Sequence, residues 1–271
     1  MVLIEELREE MIKYHFRPEK KLSQFFCINE ALLLFLQKSA NLKKDDIVLE
    51  VGPGTGFLTR VLLEKSHVVA VEKDEIMIDL LKVKFEKEIE AGKLILVHGS
   101  IIDQDLDKLK VNKIVSLPPY HLSSDLVNQL TLSKIKKAIL VLDTGFVEKL
   151  TAFEGLSEYT ALSAFVNLNS KVNVLERISK TSFFPKPNCQ SAVIEIDFDR
   201  KEKSKDFFVF VKELFRHKNK DLSRAIKQTN PFLKNKLKKE INPEKISQKM
   251  LGEKVYSFSP KKLLEIYKTI K

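Results

Sequence analysis

Residues 47–57 read IVLEVGPGTGF. The run Ile47–Val51 is apolar except for one acid, which fits a strand buried inside a parallel sheet. That acid, Glu50, stands near the end of the run, and Gly52, Gly54 and Gly56 follow at every second position. Glycine tolerates positive φ and lacks a Cβ, so such a turn can bend sharply and let a ligand lie against bare backbone. Phe57, Leu58 and Val61–Leu63 then return at helical spacing. Strand, glycine turn and helix in that order are the frame of a nucleotide site. The spacing is not that of a dinucleotide fingerprint, and no Gly-Lys-Ser/Thr follows to make a P-loop. An ordinary tight strand-to-helix turn would use the same residues.

A second signal lies about twenty residues further on, where His67–Val71 (HVVAV) forms another strand pattern and ends in Glu72. An acid at the tip of the second strand is placed to accept hydrogen bonds from ribose hydroxyls. Two carboxylates framing G-x-G-x-G suit S-adenosylmethionine, which carries a ribose and a cationic end. Glu50, Gly52, Gly54, Gly56 and Glu72 are therefore the expected cofactor contacts.

Composition sets the wider frame. The 271 residues suffice for a large domain with a small one. No run approaches the roughly 18 apolar residues of a membrane span, and the acidic, amphipathic start MVLIEELREEMIKYHF is no secretory signal. Cytoplasm is the expected compartment, with no membrane partner. Cys27 and Cys189 stand far apart, so neither a disulfide framework nor a metal site is expected. A net charge of +10, from 47 Lys+Arg against 37 Asp+Glu, favours a polyanionic partner. Lysines scattered over every exposed face would give the same total.

Along the chain, residues 1–15 suggest a helix, and Asn29 can cap a second one from Glu30 to about Ala40. Strand and helix patterns then alternate over 47–51, 58–65, 67–71, 75–90, 94–97, 123–130 and 138–142, the βαβ rhythm of a parallel, doubly wound sheet. Helical patterns at 146–150 and 159–165 precede two strand patterns, 171–178 and 192–198. The charged stretch Asp199–Asp206 (DRKEKSKD) is the expected linker. These patterns divide the chain into an α/β domain at 1–199 and a small helical domain at 200–271. In the latter, Phe207–Lys227 suggests a helix with Phe207, Val211, Leu214 and Phe215 on one stripe. Arg216, Lys220, Arg224 and Lys227 would share another face, suited to phosphate contact or simply to solvent.

Ile114–Tyr120 reads IVSLPPY and leads into HLSSDLVNQL, a helix that Ser123 or Ser124 can cap. Two prolines stiffen the loop and leave their carbonyls free, and an aromatic ring follows. Beside a cofactor turn, such a loop can hold a flat base, with Tyr120 stacking and a backbone carbonyl accepting from an exocyclic amine. A Pro-Pro-aromatic loop packed on the core is the plainer alternative.

Taken together, these segments resemble the ribosomal RNA adenine dimethyltransferases of the KsgA type. The likeness rests on K-K-L-S-Q-F-F (Lys20–Phe26), E-V-G-P-G-T-G, Glu72, L-P-P-Y where the family has N-L-P-Y, F-F-P-K-P-N-C-Q-S (Phe183–Ser191) and F-R-H-K-N-K. The resemblance implies a Rossmann-like class I methyltransferase sheet with a small C-terminal all-helical, RNA-binding domain. It implies transfer of methyl groups from S-adenosylmethionine to adenine N6 in small-subunit ribosomal RNA or a pre-ribosomal subunit. By the same likeness, Leu117, Pro118, Pro119 and Tyr120 form the catalytic loop, and Phe25, Cys27 and Ser100 join the cofactor contacts.

Several positions depart from the family pattern. Leu117 stands where the family has the Asn whose carboxamide accepts an N6 hydrogen. Pro118 keeps its carbonyl, and Ser116 is a candidate substitute acceptor. Ser100 replaces an Asp that faces the cofactor adenine, with Asp103 close by but out of register. Phe25 and Cys27 replace an Asn and a Leu, and Gly145 replaces an acid. Three functions fit: an adenine-N6 methyltransferase, a catalytically impaired relative that binds RNA as a ribosome assembly factor, or a methyltransferase with another substrate.

Overall fold

The computed structural model describes residues 2–19, 23–202 and 204–270. Lys20, Lys21 and Leu22 of the K-K-L-S-Q-F-F segment, and Lys203 of the charged stretch, lie outside them. The chain divides into two compact units, one of residues 1–147 and 172–198, the other of residues 148–171 and 199–271.

The first unit opens with α1 (Leu3–Lys13), a two-residue strand β1 (Phe26–Cys27) and α2 (Glu30–Ser39). Asn29 caps α2 as its sequence suggests, its Oδ1 accepting from the Leu32 amide at 3.1 Å. Next come β2 (Ile47–Val51), α3 (Phe57–Leu63), β3 (His67–Glu72), α4 (Glu75–Lys84), α5 (Glu86–Glu90) and β4 (Leu94–His98). The single helix expected over 75–90 is thus two. Phe85 leaves helical geometry at φ −120° and ψ 29°, and its ring is buried in the core. The chain returns through β5 (Lys113–Ser116), α6 (Ser123–Leu132), β6 (Lys137–Asp143) and α7 (Thr144–Thr151). Ser123 is the first helical residue of α6 and not its cap, and its hydroxyl donates to the Tyr120 carbonyl at 2.7 Å.

After α8 (Ala161–Asn169), the chain lays down β7 (Ser170–Ile178), the short β8 (Phe183–Phe184) and β9 (Ser191–Phe198). The main sheet has seven strands in the order β4-β3-β2-β5-β6-β9-β7. The first five run parallel in register, for example Leu49 beside Val69 and Ile114 beside Ala138. β9 pairs antiparallel with β6, Leu140 opposite Ile194, and so enters the sheet between β6 and β7. β1 and β8 form a separate two-stranded ribbon, Phe26 opposite Phe184. From β2 the chain winds one way to β3 and β4, then the other way to β5 and β6. That makes the carboxyl ends of β2 and β5 the switch point where ligands bind in such sheets.

The second unit holds α8, α9 (Lys205–Phe215), α10 (Leu222–Leu237), α11 (Gln248–Gly252) and α12 (Pro260–Tyr267). The division at 199/200 differs from the structure over residues 148–171, which belong here. The reason is packing: Phe165 of α8 lies against Phe207 and Phe208 of α9, at 6.1 and 4.9 Å between ring centroids. Tyr159 sets its edge on Phe215 at 5.4 Å. The helix expected over Phe207–Lys227 also breaks. Residues 216–220 turn through i→i+3 bonds, and the chain then pairs with 253–255, the Leu222 amide donating to the Glu253 carbonyl at 2.9 Å.

Candidate active site

A cavity of about 350 Å³ opens at the switch point. Phe25, Cys27, Glu50, Gly52, Gly54, Glu72, Leu117 and Pro119, all singled out from sequence, line it.

Glu72, at the tip of β3, is buried, yet its carboxylate is well supplied with donors. The Lys73 and Asp74 amides donate to one oxygen at 2.7 and 2.9 Å, and the Gly54 amide to the other at 3.2 Å. Burial raises its pKa and the three amides pull it back. Glu72 is therefore fixed in orientation by the two turns that frame the cavity, and the oxygen that meets the Gly54 amide keeps a lone pair for a hydroxyl donor.

Glu50 is 2% exposed and accepts one hydrogen bond, from the Thr59 hydroxyl at 2.7 Å. Burial pushes its carboxyl up to about 8, with the Glu72 charge adding to the rise and Thr59 opposing it. A buried acid poised this way gains most from a cation placed next to it.

The glycines divide the labour. Gly52 and Gly54 have φ of +66° and +55°, and a Cβ on Gly54 would lie 2.9 Å from the Phe26 ring. Gly56 does not line the cavity. It caps α3 at φ +81°, where a Cβ would meet Phe85 at 2.5 Å and Leu81 at 2.8 Å. Its role is close packing.

Of the LPPY loop, Leu117 and Pro119 reach the cavity, while Pro118 is buried behind them. The Tyr120 ring lies tilted against Phe25, with centroids 5.7 Å apart and 31° between planes. Its hydroxyl meets Ser191 Oγ at 2.6 Å, and burial raises its pKa to about 12. Ser116 does not replace the missing acceptor. It is 0% exposed, donates to the Val51 carbonyl at 2.7 Å and accepts from the Val51 amide at 3.2 Å, knitting β5 to β2.

Ser100 does not line the cavity either. Its hydroxyl caps the turn Ile101–Asp103 by accepting from the Ile102 amide at 3.3 Å, and Asp103 is exposed. The Cys27 thiol, pushed up to about 11 by burial, stays protonated and inert. Sequence reasoning missed Gln24 and Asp74, which line the cavity joined at 3.1 Å. The signal was present, since Asp74 follows Glu72 and caps α4 through the Ile76 amide.

The donor set fits S-adenosylmethionine: two buried carboxylates, a glycine turn and an apolar wall of Phe57, Leu58 and Met77. The family model described as ribosomal RNA adenine dimethylase matches residues 15–268. The chain belongs to that family. Members named probable ribosomal RNA small subunit methyltransferase A include one from Methanopyrus kandleri, 31% identical over 94% of this chain and 92% of its own length. Another, from Thermococcus gammatolerans, is 32% identical over 94% and 90%. Among solved structures, a dimethyladenosine transferase from Plasmodium falciparum superposes with a TM-score of 0.72 at 22% identity, over 89% of this chain and 95% of that one. The 23S rRNA methyltransferase ErmE gives 0.61 at 19%, over 90% and 98%. The fold of this adenine dimethylase relative is accordingly the Rossmann-like class I methyltransferase sheet with C-terminal helices.

The four cations singled out as one helix face do not lie on one helix. Arg216 follows α9 and pairs with Glu213 at 3.3 Å, and Lys220 lies in the turn, donating to Gln228 at 2.6 Å. Arg224 and Lys227 are on α10, with Arg224 beside Asp221 at 3.8 Å. Among the described residues no group of three or more His, Cys, Asp or Glu could hold a metal ion, and no helix is long and apolar enough to cross a membrane.

Proposed function

We propose that this chain is an S-adenosylmethionine-dependent methyltransferase acting on N6 of adenine in small-subunit ribosomal RNA. The observation that carries it is the convergence of Glu50, Glu72, the glycine turn and the LPPY loop on one cavity. S-adenosylmethionine, when bound, supplies an electrophilic methyl group on sulfonium. Glu72 would accept from a ribose hydroxyl, Glu50 would balance its cationic end, and the bare backbone of Gly52–Thr55 would lie along it. Phe25, backed by Tyr120, would offer an aromatic face to the target base, and a carbonyl of the LPPY loop would accept from the exocyclic amine. Alignment supplies most of the rate, since no group need be activated covalently.

Leu117 is apolar and packs partly on the core, and with Ser116 committed to Val51 the loop has one side-chain acceptor fewer than the family pattern. Loss of one preorganised acceptor costs about 3 kcal/mol, roughly a hundredfold in rate. That is the specific reason to keep a second function in view: an RNA-binding assembly factor with impaired chemistry. The deciding assay is transfer of labelled methyl groups from S-adenosylmethionine to undermethylated small ribosomal subunits, wild type beside Leu117→Asn. Transfer by wild type supports the enzyme. Transfer by the variant alone identifies a chain that kept its sites and lost its chemistry. Transfer by neither favours the assembly factor.

A further inference from the structure

Lys84 ends α4, outside the cavity, with its side chain 17% exposed. An ammonium has three N–H donors, and each is engaged: Glu6 Oε1 at 2.9 Å, Glu10 Oε1 at 2.6 Å and the Thr55 carbonyl at 2.9 Å. The same nitrogen lies 4.7 Å from the centroid of the Phe57 ring. Thr55 and Phe57 line the cavity, and Thr55 sits between Gly54 and Gly56. Arg60 adds a second brace from α3, bidentate on Glu6 at 3.0–3.2 Å.

Docking α1 does not require the third of these bonds, because Leu3 and Leu7 already bury that helix in the core. The glycine turn does need an anchor. Residues with φ of +55° and +81° and no side chains lose much freedom when a ligand orders them. A cation that fixes the carbonyl between them lowers that loss in advance, which is how preorganisation raises affinity.

We propose that Lys84 is a positioning residue for the cofactor turn, held against Thr55 by the Glu6 and Glu10 carboxylates of α1. The proposal rests on the cofactor reading above. It predicts that Lys84→Met weakens binding of S-adenosylhomocysteine, measured by calorimetry on the full chain, by roughly tenfold to a hundredfold. In the ligand-free protein, amide hydrogen exchange over residues 52–57 should quicken by about tenfold. Lys84→Arg should regain part of both. The double variant Glu6→Gln with Glu10→Gln should move both in the same direction, and it decides the matter where Lys84→Met fails to fold. A lower melting temperature with unchanged affinity and unchanged exchange at the turn would overturn the proposal, leaving Lys84 as a strut for α1. Absence of binding by wild type would count against the cofactor reading instead, and the exchange comparison would still decide the part played by Lys84.

Discussion

The hydroxyls of Tyr120 and Ser191 meet at 2.6 Å, joining the loop after β5 to the first residue of β9 across 71 positions of sequence. Ser191 is fully buried, so the bond fixes the Tyr120 ring from behind while Phe25 covers its face. Ser191→Ala leaves a largely buried phenol without its partner and should lower stability by about 1–3 kcal/mol. Methyl transfer should fall further than that loss of folded protein explains. A double-mutant cycle with Tyr120→Phe, read by urea melts and by turnover, should give a coupling of about 0.5–3 kcal/mol; additive effects would mean the two hydroxyls act independently.

Glu50 makes folding sensitive to pH. Its carboxyl is raised to about 8 from an ordinary 4.5, so the folded chain holds this proton more tightly than the unfolded chain does. Its contribution to stability is therefore greatest below the unfolded value and declines as pH climbs towards the folded one. Denaturant melts of ligand-free protein should show wild type losing ground to Glu50→Gln between about pH 5 and pH 8. A cation bound beside Glu50 favours the ionised form, so calorimetry near neutral pH in buffers of different ionisation heat should detect proton release by wild type and none by the variant. Parallel pH profiles for the two proteins would remove Glu50 as the titrating group.

The turn glycines should fail in different ways. Gly54→Ala puts a Cβ 2.9 Å from Phe26 on a wall of the cavity, whereas Gly56→Ala drives one to 2.5 Å from Phe85 inside the core. Both also strain a positive φ, at a cost of order 1–3 kcal/mol each. Gly56→Ala is expected to show the larger fall in melting temperature. Gly54→Ala is expected to retain more of its stability and to lose ligand affinity. The reverse ranking would contradict the assigned roles.

Salt dependence tests the cations of the second unit. Replacing Lys220, Arg224 and Lys227 together should flatten the slope of log affinity for RNA against log salt by roughly one for each phosphate no longer neutralised. Arg216, already paired with the largely buried Glu213, should change it less. An unchanged slope for the triple variant would place the RNA elsewhere.

What the sequence made legible was what local chemistry decides. IVLEVGPGTGF carries strand, acid and turn in one short run, HVVAVE carries strand and acid, and Asn29 and its helix are adjacent. Hidden features depended on partners far along the chain. Ser116 looks available until Val51 is placed beside it. A single amphipathic stripe from Phe207 to Lys227 is the simplest pattern until residues 253–255 take over the backbone bonds of the turn. Residues 148–171 looked continuous with the α/β domain because periodicity cannot say which core a helix joins; Phe165 meeting Phe207 and Phe208 decides that. The pairing of Phe26 with Phe184 is too short and too distant to leave any periodic trace.

The insertion of β9 between β6 and β7 sets a timetable for biosynthesis. Until Phe198 has left the ribosome, one edge of β6, whose Ala138–Leu142 segment is buried in the finished fold, has no neighbour. Unpaired apolar edges recruit other strands, and sheets closed by late, distant pairings are slow to form and exposed to aggregation. A nascent chain halted before residue 191 should therefore bind chaperones more strongly than one halted after 198.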